Sequence, residues 1–405
     1  MRISSKSELE RFVSENWTAI NRQIDLWQSE YEQPIYSSVD IRESSRKYAP
    51  VDHNLYPAGW NNVCSKDLKK AAALFRQALG ESIIRIALLP ESHTKNKWYL
   101  DNIHHLALAL SDAGFLVDIV SPDKTLFDSS DHLDLVSQSG HNLTIYAVDV
   151  VGDVFQRRNN KEMSYDAVVI NHDQSVPFDI DWKKFKTKVF PSPLAGWTRR
   201  QKINHFEYYH KVANLFCDQF NIEPDLIQAK FRAAHGVDFE SKEGLESMAA
   251  QVDSLLAELP EGSSVFAKAS QGTYGMGISV FTKGSEVLEM NRRTRNKMDV
   301  GKNNIKFTSI LIQEGVETIL KVEDAPAEIT MYLVSGRSVG GFMRYNPQRG
   351  INANLNSQGM LYKKFCISDI CQGTDTHQKE AVYCLIARLS VLAASKEIHE
   401  LITKE

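Results

Sequence analysis

The stretch AKASQGTYGMGIS, residues Ala267 to Ser279, sets Gly272, Gly275 and Gly277 within six positions, directly behind a lysine that closes the apolar run VFAKAS. In an extended chain Val265, Ala267 and Ala269 share one face, and Phe266 and Lys268 share the other. The glycines remove the side chains that would keep an anion off the backbone. The N–H groups of residues 272 to 277, Thr273 among them, can therefore close around one. A lysine beside such a loop suits phosphate. A plain β-hairpin would use the same glycines to turn, and the loop alone does not choose between the two. The pattern GxxxxGK[ST] is absent and the loop opens no helix, which excludes a P-loop and a dinucleotide fingerprint. The following ISVFT makes the arrangement strand, loop, strand.

The next strand favours a nucleotide. SILIQEGVETIL is apolar up to Gln313 and Glu314, with Glu317 beyond Gly315 and Val316. Glu314 or a backbone carbonyl can accept from an adenine amino group, the Val316 N–H can serve a ring nitrogen, and Glu317 can reach ribose hydroxyls. An edge strand with acids facing water is the plainer alternative for each acid taken alone. Then EITMYLVSGRSVGGFMRYN predicts a hairpin turning at Ser335 and Gly336, with Arg344 on the face of Phe342. A polar loop, NPQRGINANLNSQGM, and a long helix from about Thr376 close the chain.

Upstream, apolar residues spaced by three and four over residues 8 to 32 predict one amphipathic helix or two short ones, ending at Pro34. Residues 36 to 62 have no clear period and are expected to be loop-rich. From about residue 66 a βαβ pattern begins, and strand candidates continue to about 195, an open α/β sheet. Its loops PESHTKN and NHDQS would lie at the carboxyl ends of strands, where such sheets bind ligands. A helix over RRQKINHFEYYHKVANLFCDQF bridges to the glycine-loop region.

Composition narrows the partners. The 405 residues are 42% apolar and 24% charged, with a formal net charge of -4. No overall field selects nucleic acid or anionic lipid, so neither nucleic acid nor membrane is an expected partner, and any anion site must be local. Five cysteines without a CxxC pair fit a reducing compartment, and the N-terminus lacks the apolar core of a signal peptide. A cytoplasmic location is expected, and a homo-oligomeric assembly is left open.

The order lysine strand, glycine loop, Gln-Glu hinge and acid-led hairpin resembles the ATP-grasp superfamily, in which two α+β subdomains hold ATP between them. The expected fold class is then α/β and α+β, an ATP-grasp fold preceded by an open α/β domain. Residues 1–195 would form the N-terminal substrate domain and 196–405 the ATP-grasp domain, with a glycine-loop subdomain over about 221–310 and hinge, hairpin and helix over 311–405. The fold implies a second lysine from before the loop, for which Lys230 is the candidate, with Arg232 close behind. The Glu-x-Asn strand common near the end of such folds does not occur after Met360.

SSVDIRESSRKYAPVDHNLYPAGWNN, PESHTKN, GWTRRQKINHF, KASQGTYGMGI, RNKM, IQEGV and NLNSQGM together resemble the proteobacterial glutamate-cysteine ligase family of ATP-grasp type. The resemblance runs from about Pro34 to the final helix. It implies ATP-dependent joining of the γ-carboxylate of L-glutamate to L-cysteine through γ-glutamyl phosphate, the first step of glutathione synthesis, with Mg²⁺. Lys268, Lys230 and residues 272 to 277 would steady the phosphates, and Arg344 the charge on the transferring group. Glu328, Asn354 and Asn356 would supply oxygen to the metal. Asp40, Arg42, Asp52, Asn54, Asn61 and Asn62, joined by Arg199 and Arg200, would bind glutamate. For Asp40 and Arg42 an ion pair pinning a loop is the alternative, and His53 and His205 read equally well as satisfied structural histidines. Another ATP-grasp carboxylate-amine ligase, or an ATP-binding regulator without catalysis, remains the rival reading.

Overall fold

The structure is a computed structural model that describes residues 2–92, 95–127, 130–271, 277–299, 306–365 and 374–404. The N-terminal amphipathic pattern resolves into two helices, Lys6–Glu15 and Trp17–Gln28. Ser5 and Glu8 form a reciprocal capping box at the start of the first. The helices meet at Asn16, whose backbone N–H and side-chain amide both donate to the Phe12 carbonyl.

Residues 36 to 62, expected to be loop-rich, instead hold two strands, β1 (Tyr36–Glu43) and β2 (Tyr48–Asn54). Their period of two is present in the sequence but disguised. Val39 and Ile41 face a hydrophobic core, while Ser38, Asp40 and Arg42 occupy the other face and are also buried. A strand with a buried polar face lacks the apolar-in, polar-out contrast by which strands are recognised.

The predicted α/β sheet follows, built from β3 (Arg85–Pro90), β4 (Leu116–Ser121), β5 (His132–Val136), β6 (Asn142–Val151), β7 (Val154–Arg157), β8 (Ala167–Asn171) and β9 (Lys188–Phe190). Strands β6, β4, β3, β8 and β9 run parallel in that order, and β5 and β7 pair antiparallel with β6. The helices Ser65–Leu79 and Lys97–Asp112 cover one face through Phe75, Leu79, Ile103, Leu106 and Leu110.

A four-stranded antiparallel sheet comes next, in the order β10 (Phe231–His235), β13 (Ser309–Glu314), β11 (Val265–Ala269), β12 (Ile278–Phe281). Val265, Ala267 and Ala269 pack on the helix Lys242–Leu256, as the alternation in VFAKAS requires. The remaining strands, β14 (Lys321–Val322), β15 (Ala325–Val334), β16 (Arg337–Tyr345) and β17 (Leu361–Phe365), return to the first pair and complete a six-stranded antiparallel sheet in the order β17, β16, β15, β1, β2, with β14 beside β15. This sheet takes strands from both sides of the 195/196 division. The β15–β16 turn falls at Ser335 and Gly336, both at positive φ, as the hairpin reading requires.

One face of the six-stranded sheet, Val39, Ile41, Ile329, Met331 and Leu333, packs on the C-terminal helix Thr374–Thr403, whose residues Val382, Leu385, Ile386, Leu389 and Leu392 are buried. The other face divides between the α/β-sheet helices, met by Tyr332, Val334 and Phe342, and a cleft. No helix among the described residues is long and apolar enough to cross a membrane.

The helix Ser65–Leu79 lies directly on β16 at Gly340, where an added Cβ would stand 2.6 Å from the Asp67 Cβ. Gly340→Val should therefore lower stability by about 1–3 kcal/mol, the usual range for overpacking. A lower urea midpoint at unchanged slope is the expected result, since the surface exposed on unfolding stays the same.

Candidate active site

The cleft has a volume of about 980 Å³ and is bounded by all three sheets. Its floor is set by antiparallel register. Asp52, Asp40, Thr330 and Phe342 stand opposite one another across β2, β1, β15 and β16, and in the next row Arg344 of β16 stands between Glu328 of β15 and Tyr362 of β17. Sheet register thus brings residues 40, 328 and 344, remote in sequence, into neighbouring positions.

These side chains form one buried ion network. Arg344 donates through Nη1 to Asp40 Oδ2 at 3.0 Å and Glu328 Oε1 at 2.9 Å, and through Nη2 to Asp40 Oδ1 at 3.2 Å. Arg42 donates through Nε to Glu328 Oε2 at 2.8 Å, and through Nη2 to the Ala353 carbonyl at 2.7 Å, tying the loop that carries Asn354 to the floor. Burial would raise Glu328, but Arg42 and Arg344 outweigh it and hold the carboxyl below its ordinary value. Burial raises Asp40, with Arg344 pulling against it and Glu328 adding to it. Thr330 donates its hydroxyl to Asp40 at 2.8 Å.

Lys268 enters from the four-stranded sheet on the face that alternation assigned it. Its ammonium donates to the Val51 carbonyl of β2 at 2.7 Å and to Gln313 Oε1 at 2.8 Å, and so joins two sheets. Burial pulls its pKa down to about 8, against the attraction of Asp52. Asp52 is the counter case. Burial would raise it, but Lys202 and Lys268 bring it down to about 2. Lys202 contacts the Asp52 carboxylate directly and lies 4.5 Å from the Trp197 ring centroid.

Most of the residues proposed from sequence meet in this cleft. Asp40, Arg42, Asp52, Asn54, Asn61 and Asn62 line it with Lys268, Gln313, Glu314, Val316, Glu328, Arg344, Asn354 and Asn356. Glu91, Asn96 and Asp173 line it from the loops after β3 and β8, where the open-sheet rule put them. The Glu314 carboxylate accepts from Lys47 Nζ and from the Lys230 backbone N–H, so it serves an internal ion pair. Gly277 has φ +64, and a Cβ there would stand 2.7 Å from the Ala269 Cβ, which accounts for glycine at the end of the loop. Gly272, Thr273 and Gly275 lie outside the described residues.

Four candidates fall elsewhere. Lys230 does not line the cleft, and its ammonium donates to the Glu258 carbonyl at 3.1 Å. Glu317 is exposed and accepts from Asn352 at 2.7 Å. Arg199 is exposed, while Arg200 is buried behind the cleft wall on Glu397 at 2.9 Å. Sequence reasoning missed Lys202, Ser38, Thr330, Tyr332 and Trp197. Lys202 sits two residues beyond the chosen Arg200, as the first residue of the helix Lys202–Phe220, and only the direction of the helix start separates the two cations. Ser38 is hidden with β1 itself, whereas Thr330 and Tyr332 lie on the expected strand β15, where nothing in the local sequence marks their face as the cleft side.

Magnesium takes oxygen ligands, commonly one or two carboxylates completed by water and phosphate. Glu328 and the amides of Asn354 and Asn356 are donors of that kind on one stretch of wall, and each carboxylate oxygen keeps a lone pair beyond its arginine bond. The residues therefore fit an ion that arrives with phosphates. Among the described residues no group of three or more His, Cys, Asp or Glu is arranged to hold a metal alone.

Comparison with known proteins bears on this cleft. The family profile described as Glutamate-cysteine ligase matches residues 10–398. A crystal structure from Methylobacillus flagellatus KT, provisionally named a gamma-glutamylcysteine synthetase, is 32% identical at a TM-score of 0.87, covering 98% of this chain and 96% of that one. D-alanyl-alanine synthetase A from Vibrio cholerae O1 biovar eltor str. N16961 reaches a TM-score of 0.34 at 14% identity over 66% of this chain and 67% of its own, a likeness too slight to argue from. A comparison with curated proteins gives no match. A profile match over nearly the whole chain, together with a 32% identical structure alike from end to end, establishes that the chain belongs to the glutamate-cysteine ligase family.

Proposed function

We propose that the cleft carries out ligation in the ATP-grasp manner, with γ-glutamyl phosphate as the intermediate. The observation that carries this reading is the convergence of Lys268, from a sheet ending in a glycine loop, on a floor where Arg344 and Arg42 are held in place by buried carboxylates. The four-stranded sheet with its helix would be one ATP-holding subdomain, and β14–β17 with the C-terminal helix the other. The α/β sheet would be the partner domain.

ATP would lie along Phe266, Ile278 and Val316, with its phosphates toward Lys268. Lys202 takes the second-cation role first given to Lys230, because its ammonium faces the cleft. Glutamate would lie over β1 and β2, near Asp40, Asp52, Asn54, Asn61 and Asn62. Its γ-carboxylate oxygen attacks the γ-phosphorus, the bond from that phosphorus to the β-phosphate oxygen breaks, and ADP leaves. The amine of cysteine then attacks the acyl carbon, the carbon–oxygen bond to phosphate breaks, and the amine proton passes to solvent as inorganic phosphate departs. Bound Mg²⁺, held by Glu328, Asn354 and Asn356, would supply neutralising charge to the phosphates. Arg344, unable to lose its proton, offsets charge on the transferring group and the tetrahedral intermediate. Its guanidinium is already oriented by Asp40 and Glu328, so no reorganisation is needed at the moment of reaction.

Incubation with ATP, Mg²⁺, L-glutamate and L-cysteine should release phosphate and form γ-glutamylcysteine. Release with a different amine in place of cysteine would assign a sister ligase, and ATP binding without glutamate-dependent ADP formation would assign a regulator. Lys268→Ala should weaken ATP binding by about 10- to 100-fold, the worth of a charge-assisted contact of about 1.5–3 kcal/mol. A lysine sheds its proton as pH rises, so with a pKa of about 8 the free protein loses this cation above pH 8. ATP affinity measured by calorimetry should then decline with a limiting slope of about tenfold per pH unit, and Lys268→Arg should flatten the decline. Arg344→Lys keeps the charge the two carboxylates need but loses the fork. Turnover should drop about 10²–10³-fold with the melting temperature little changed, as for loss of a transition-state donor.

A further inference from the structure

Behind the cleft wall lies a second polar cluster that the reaction does not use directly. Asp52 and His53 are consecutive in β2, so Asp52 faces the cleft while His53 faces the interior. His53 Nδ1 lies 2.8 Å from Ser390 Oγ on the C-terminal helix, and His205 Nε2 lies 3.2 Å from the same oxygen. On that helix Glu397 accepts from Arg200 Nε at 2.9 Å, and Arg200 Nη1 donates to the His53 backbone carbonyl at 3.0 Å. All five side chains are buried. Burial, helped by nearby Arg200, pushes both histidines well below their ordinary value, and burial also raises the Glu397 carboxyl while Arg200 pulls it the other way.

The chain segment that carries Arg200 continues into Lys202, whose ammonium meets Asp52 across the wall. Both ends of the Asp52–Lys202 pair are thus tethered to Arg200, Asp52 through the His53 carbonyl and Lys202 through two residues of backbone. Trp197 lies between, its ring centroid 5.3 Å from the Arg200 guanidinium and 4.5 Å from Lys202 Nζ.

We infer that Glu397, on the C-terminal helix, is a positioning residue for the cleft, holding Arg200 on the His53 carbonyl and thereby fixing where Asp52 and Lys202 stand. The electrostatic logic is specific. Without the Glu397 charge, Arg200 is an unpaired buried cation. The inferred consequence is that this cation draws the half-buried Asp52 carboxylate, next to His53 in β2, away from Lys202. That the displaced ammonium serves the phosphates of ATP rests on the ligase reading. The displacement itself does not.

The test compares Glu397→Gln with Glu397→Asp and with the double variant Arg200→Gln/Glu397→Gln, in the full chain. Glu397→Gln should raise the KM for ATP about tenfold with kcat changed less than about threefold. Glu397→Asp should restore the KM, and the double variant should recover at least half the loss on a logarithmic scale because the stray cation is gone. A role confined to stability predicts a double variant no better than the single one. Independently of activity, the Trp197 emission, taken as the difference from matched Trp197→Phe proteins, should shift in Glu397→Gln and return in Glu397→Asp. If Glu397→Gln fails to fold, the Glu397→Asp and double variants carry the comparison through the same emission. Unchanged Trp197 emission overturns the inference. Wild-type protein without glutamate- and cysteine-dependent ADP formation overturns the ligase reading and leaves the emission test standing.

Discussion

The interaction on which the cleft depends is the buried contact of Arg344 with Asp40 and Glu328. Two carboxylates and two guanidiniums, counting Arg42, are withdrawn from water on the floor of the six-stranded sheet. Desolvation makes this arrangement costly, and removing any one member would strand its partner at a cost of about 3–5 kcal/mol. Such a network adds little to net stability compared with an apolar floor. What it does is hold charged groups at defined positions inside a cavity where the local dielectric is low and their fields reach far.

That network can exist only because β1 and β2, from the start of the chain, pair with β15 to β17 from near its end. The consequence is mechanical as well as chemical. The N-terminal segment cannot shift by one residue without turning Asp40 and Arg42 into the apolar core and Val39 and Ile41 into the cleft. The C-terminal helix pins the other face of the same sheet, so both faces oppose a register slip. Lys268 then links this floor to the four-stranded sheet through the Val51 carbonyl, and Lys47 joins the same two sheets through Glu314.

Much of this was legible from residue order. Alternation in VFAKAS assigned Lys268 to the face opposite Val265, Ala267 and Ala269, and that face is the cleft. The α/β succession located Glu91, Asn96 and Asp173 at the carboxyl ends of strands, and the hairpin at Ser335 and Gly336 carried Arg344 onto the floor. Tyr36–Asn54 reads as loop because its polar residues are buried instead of facing water, and Arg200 is not told from Lys202 because charge and segment are legible in the sequence but direction is not.

Residue order by itself determined which segments form strands and helices where the polar and apolar faces contrast, which cation follows which apolar run, and the membership in a ligase family that the motifs implied. Only the tertiary structure decided which cations share a cleft with which carboxylates. Side-chain periodicity is a local property, whereas the pairing of β1 with β15 joins residues about 290 positions apart, as in the contact of Thr330 with Asp40. Nothing in either segment alone encodes that register. It is selected by burying Val39, Ile41, Ile329 and Met331 against one helix, and the charged floor is what that burial leaves on the opposite face.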